Sequence, residues 1–140
     1  MKKLTSIIAL VLCFAFAASA QDAAAGKVKM NKKNLVVKEW NVSGGGTRIL
    51  DQLTVFSAEG KKIEETEYDA AGRQKWRKRY EWGENGKVAR ELLYDENNRL
   101  VNYKTFEYNE FGKKKSQYTY SPKGKLLKTK VYEYIVQDEQ

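Results

Sequence analysis

From residue 35 to residue 135, runs in which Tyr, Val, Thr, Trp and Phe are interspersed with polar and charged residues have the composition that strands prefer. The runs are separated by short segments: SGGGT (43–47), SAEGK (57–61), DAAGR (69–73), GENGK (83–87), DENNR (95–99), NEFGK (109–113) and SPKGK (121–125). Six of the seven have Gly fourth and six end in a basic residue. Where Gly is missing stands Asn98, the residue type that best tolerates a positive φ after glycine. The first position is Asp, Asn, Ser or Gly, and Pro122 sits second, where a type I turn wants φ near about −65°. This pattern predicts hairpins closed by a type I turn followed by a left-handed residue in a G1 bulge.

Successive segments are spaced alternately by 14 and 12 residues, so the repeat is 26 residues, or two strands. Tyr80-Glu81-Trp82, Phe106-Glu107-Tyr108 and Tyr132-Glu133-Tyr134 recur one repeat apart, as do Tyr68, Tyr94 and Tyr120. Eight strands are predicted, at about 35–42, 47–56, 61–68, 73–82, 87–94, 99–108, 113–120 and 125–135. The fold class is therefore all-β, an antiparallel meander forming an open, twisted, single-layer sheet. The alternative is a wide β-barrel, because a tight eight-stranded barrel holds only roughly twelve interior side chains.

Carrying the turn register across the sheet pairs Tyr68 with Gln74, Trp82 with Val88, Tyr94 with Leu100, Tyr108 with Lys114 and Tyr120 with Leu126. Strict alternation from those pairs places thirteen of fourteen strand aromatics on one face, with Tyr103 alone on the other. It sets Tyr80 opposite Arg90 and Tyr132 opposite Lys114. On the opposite face it predicts the ion pairs Glu67–Lys75, Glu65–Arg77, Arg79–Glu91, Glu107–Lys115 and Lys113–Glu133. Glu39 falls opposite Asp51, a like-charge mismatch. Along QKWRKRYEW (74–82), Trp76, Lys78, Tyr80 and Trp82 point one way and Lys75, Arg77, Arg79 and Glu81 the other. The stretch thus reads as a strand with two unlike sides, which removes the main support for a nucleic-acid site.

At YDAAGRQ (68–74) and YDENNRL (94–100) the sequence resembles the YD repeats of Rhs-type bacterial surface and toxin-delivery proteins, with Tyr-Asp-x-x-Gly-Arg as the shared element. The resemblance covers roughly residues 43–135 and implies a β structure built from many such hairpins. The chain is far shorter than those proteins and carries no toxin domain. It looks more like small exported bacterial proteins of unknown function built from similar hairpins, and the resemblance implies no catalytic residue.

The first 20 residues combine Lys2 and Lys3, an apolar run from Ile7 to Phe16 and small residues at Ala18-Ser19-Ala20. They read as a signal peptide, too short in their apolar run for a membrane span. Residues 21–34 read as a flexible basic leader, 35–135 as the repeat domain and 136–140 as a tail. Export to the periplasm or exterior of a bacterium is expected, with no transmembrane segment after cleavage. The segment after residue 20 has 24 basic and 18 acidic residues, no cysteine and no histidine. The common nucleophile–base triads therefore lack their members, and a non-enzyme with no cofactor and no metal site is expected. Glu64-Glu65 are strand neighbours facing opposite sides, and Asp95-Glu96-Asn97-Asn98 lacks the ligand spacing of a calcium loop.

The feature with functional content is the aromatic face with its interleaved cations. Curled into a trough, it is expected to bind a glycan or an exported protein partner, through Trp76, Tyr80, Trp82, Arg90, Tyr94, Phe106 and Tyr108. The alternative is an assembly or accessory protein that docks through its sheet edges to a larger exported or envelope protein.

Overall fold

A computed structural model describes residues 28–138. The expected signal peptide and the first half of the leader lie outside the described residues. Eight strands, β1 (Val36–Val42), β2 (Arg48–Phe56), β3 (Lys62–Tyr68), β4 (Gln74–Trp82), β5 (Val88–Tyr94), β6 (Leu100–Tyr108), β7 (Lys114–Tyr120) and β8 (Leu126–Val131), form one sheet in chain order. All neighbours are antiparallel, and the sheet does not close into a barrel. Each strand touches only the strands before and after it, so the sheet is a single layer. β8 ends at Val131 rather than reaching residue 135, with one further bond from Tyr132 N to Lys115 O.

The turns form as their residues require. In 69–73, Gly72 N donates to Asp69 O and Asp69 N donates to Arg73 O, which closes the type I turn and its G1 bulge. The Asp69 carboxylate accepts from Ala71 N and Arg73 N, both at 2.9 Å, and Asp95 and Asn109 repeat this arrangement in their own turns. That is why short oxygen-bearing side chains occupy the first turn position. Asn98 takes the left-handed conformation at φ 58°, matching Gly72 at 78°. Just before β1, Asn34 N donates to Ser57 O, so the end of the leader is tied to the β2–β3 turn.

All five turn-flanking pairs expected from the sequence are present. One position inward, however, each of the six hairpins from β2 to β8 carries a second irregularity. Tyr68 faces Gln74 but Glu67 faces Trp76, leaving Lys75 without a partner. Ile63, Ala89, Val101, Lys115 and Leu127 are the equivalent extra residues. Each shifts the pairing by one residue and therefore changes which residues share a face.

The expectation of a single aromatic face is corrected by this shift. Phe56, Trp76, Tyr80, Trp82, Phe106 and Tyr108 lie on one side, here the front, and the hydroxyls of Tyr132 and Tyr134 bond there too. Trp40, Tyr68, Tyr94, Tyr103, Tyr118 and Tyr120 lie on the back. Tyr80 opposes Glu91, not Arg90, and Tyr132 N donates to Lys115 O rather than pairing with Lys114. The Glu67–Lys75 ion pair forms at 2.5 Å. The other four expected pairs do not form among the described residues: Arg77 and Arg79 turn to Glu64, and Glu91 turns to Lys78 and Lys104. Glu107 instead faces Ser116. Asp51 is the extra residue of the first hairpin, so Glu39 meets Gln52 and the like-charge mismatch disappears.

Among the described residues no apolar residue is buried, and the buried residues are Thr66, Ser116 and Gln117. Cohesion comes from ladder hydrogen bonds and from half-covered side chains packed across neighbouring strands, as expected of a sheet with solvent on both sides.

Candidate functional site

The front face is built from the repeat. Its rows, one repeat apart, are Glu65, Glu91 and Gln117; Tyr80, Phe106 and Tyr132; and Trp82, Tyr108 and Tyr134. Tyr80 donates its hydroxyl to Glu65 Oε2 at 3.0 Å, and Tyr132 donates to Gln117 Oε1 at 3.4 Å. Between them Phe106 has no hydroxyl, and Glu91 is held by Lys78 at 3.7 Å and Lys104 at 3.8 Å. In the other row, Trp82 Nε1 donates to Lys62 O at 2.8 Å, Tyr108 to Val88 O at 2.6 Å and Tyr134 to Lys114 O at 2.7 Å. Each acceptor stands just before an extra residue, Ile63, Ala89 or Lys115, where the ladder is locally disrupted. The polar tip of the ring thus closes a gap the bulge opens, while its apolar body covers the strand.

Cations cover the ring faces. Lys61 Nζ lies 5.0 Å from the Trp82 ring centroid, Lys62 5.1 Å from Tyr80, Lys32 5.4 Å from Phe56, Lys78 5.1 Å from Trp76 and Lys114 4.5 Å from Phe106. Each such contact contributes about 0.5–1 kcal/mol at an exposed site. The back face uses Arg more: Arg77 over Tyr94 at 4.5 Å, Arg90 over Tyr103 at 5.8 Å and Arg48 over Trp40 at 4.6 Å. There Tyr103 also stacks on Tyr120 with ring centroids 5.1 Å apart.

Electrostatics on the front face centre on Glu65. Burial alone would raise its pKa, but hydrogen bonds from Lys62 and Tyr80 and the charges of Lys62 and Lys78 outweigh it, holding the carboxyl below its ordinary value. Burial, then the hydrogen bond to Glu65, pushes the Tyr80 phenol well above its ordinary value. On the back face the Arg90 hydrogen bonds, at 2.7 and 2.9 Å, hold Glu81 below its ordinary value.

Of the residues singled out from the sequence, Trp76, Tyr80, Trp82, Phe106 and Tyr108 share the front face, whereas Arg90 and Tyr94 lie on the back. Three open depressions lie on the front. Phe56, Tyr80, Trp82 and Val88 line one with Lys32, Lys61 and Lys62. Phe106 and Tyr108 line a second, and Trp76, Lys78, Glu91 and Lys104 a third. Lys32, Lys61 and Lys62 were not among the expected site residues. For Lys61 the repeat held the signal, because it ends a turn on the same side of the sheet as the turn after Trp82.

Among the described residues, no three His, Cys, Asp or Glu side chains gather as a metal site, and no helix is long and apolar enough to cross a membrane. Compared with protein-family models and with curated proteins, the sequence matches none.

Proposed function

We propose that this chain is a non-catalytic, exported binding or structural module of YD-repeat type, and that its front face takes an acidic glycan. The observation that carries the reading is the Phe56–Tyr80–Trp82 depression, where three lysines sit over three rings. Ring faces suit the apolar faces of sugars, and the ammonium groups beside them suit carboxylates or sulfates. A neutral sugar would have to displace the lysines without replacing their charge, whereas an acidic one keeps them paired. Calorimetric titration with polygalacturonate, against dextran as the neutral control, tests the reading. Trp82→Ala is expected to weaken binding about tenfold, the loss of one ring platform and its cation contact. Arg90→Ala and Tyr94→Ala on the back are expected to leave binding unchanged. Equal losses from front and back variants, or equal binding of dextran, would reject the front-face assignment.

A further inference from the structure

Both ends of the sheet are open. The outer edges of β1 and β8 have no strand partner among the described residues, and exposed apolar side chains collect there: Val36, Trp40 and Val42 at one end, Val131 and Tyr134 at the other. In the repeat, every even strand receives an odd strand on its outer side, as β4 receives β5. β8 lies two repeats after β4, and β1 lies two repeats before β5. Transferring the β4–β5 register onto β8 and the β1 of a second molecule is therefore a definite operation. The pair Glu81–Arg90 becomes Glu133 with Lys38, and Arg79–Leu92 becomes Val131 with Trp40. The Lys78–Glu91 ion pair becomes Lys130 with Glu39. Two charge pairs of correct sign and one apolar pair appear in a register fixed by other strands.

From this match we propose that copies of the chain join head to tail, β8 of one pairing antiparallel with β1 of the next, so that the meander continues through a non-covalent link. A symmetric β8–β8 contact is disfavoured, because central registers bring Lys128 and Lys130 onto their own counterparts. A head-to-tail contact joins unlike edges, so a pair still offers one free β1 edge and one free β8 edge, and the assembly grows beyond a dimer into an open chain or a larger ring. It uses the sheet edges alone and leaves the front-face depressions free.

Sedimentation velocity of the purified chain over a wide concentration range tests this, with far-UV circular dichroism confirming the β fold of each variant. The mean mass is expected to rise with concentration past that of a dimer. Glu133→Lys and Lys38→Glu each place like charges across the junction and are expected to weaken association about tenfold. Mixed in equal amounts, the two variants restore opposite charges at every junction, and assembly is expected to return. Trp82→Ala is expected to leave assembly unchanged even where it weakens glycan binding, which separates this inference from the front-face reading. A wild-type chain that stays monomeric, an assembly that stops at a dimer, or a mixture that fails to recover would overturn the proposal.

Discussion

Removing one oxygen, in Tyr108→Phe, isolates the link between ring tips and bulges. The hydroxyl of half-buried Tyr108 donates to Val88 O at 2.6 Å, and Val88 stands just before the extra residue Ala89. Phenylalanine keeps the ring and its packing against Phe106, whose centroid lies 6.4 Å away. What is lost is one hydrogen bond to a carbonyl that the disrupted ladder serves poorly. A typical bond contributes about 0.5–1.5 kcal/mol net, and a stranded, partly buried acceptor moves the cost toward the upper end, so about 1–1.5 kcal/mol is expected. For a domain near one hundred residues this lowers the melting temperature by roughly 4–12 °C. The control is Tyr118→Phe, because the Tyr118 hydroxyl makes no hydrogen bond among the described residues; its change is expected to stay within about 0.5 kcal/mol. Urea unfolding of both variants, followed by tryptophan fluorescence and by circular dichroism, supplies the comparison. If the two variants lose the same stability, the ring tips do not secure the bulges.

Phe106→Tyr restores the hydroxyl that Tyr80 and Tyr132 carry one repeat away, within the row where Glu65 and Gln117 act as acceptors; a gain of about 0.5–1 kcal/mol in urea unfolding is expected. Gly112→Ala is expected to destabilise by about 1 kcal/mol or more in the same assay, because φ is +70° and an added Cβ would meet Lys87 Cε and Nζ at 3.1 Å. Glu65 has a folded pKa below its ordinary 4.5, so its contribution is complete above that value and is lost as pH falls through the lower folded value. Glu65→Gln should therefore flatten the fall in melting temperature below about pH 4.5, and an unchanged acid limb would show that Glu65 is not a linkage site.

The turns were legible because each needs a residue type the strands do not: glycine or asparagine at positive φ, and a short oxygen-bearing side chain at the head of the loop. Strand order followed from their spacing, whereas openness was inferred from an aromatic face with too many rings for the interior of a tight barrel. The second irregularity was not legible, and the residues show why. Its extra positions are Ile63, Lys75, Ala89, Val101, Lys115 and Leu127, which share no size, charge or turn preference. Charge matching could not reveal the slip, since Arg77, Lys78 and Arg79 are consecutive bases facing the consecutive acids Glu64 and Glu65. Moving by one residue exchanges one good pair for another. Only the Glu39–Asp51 clash marked the error, and the first hairpin does remove it by leaving Asp51 unpaired. The candidate site inherited the same fault. From Trp76 to Trp82 β4 was divided correctly, while Arg90 and Tyr94 were carried to the wrong side of β5 by the slip at Ala89.

The lack of a fully buried apolar side chain among the described residues has a calorimetric consequence. Newly exposed apolar surface makes the heat capacity of unfolding large in ordinary domains, about 12–15 cal/mol/K per residue, and exposed polar surface subtracts from it. In a single layer wetted on both sides, apolar side chains such as Leu53, Phe56 and Leu92 are only partly covered, so less apolar surface is uncovered when the strands separate than in a domain with a buried core, while many polar groups are exposed. The heat capacity increment should therefore fall below the ordinary figure, and the curve of stability against temperature should bend correspondingly less.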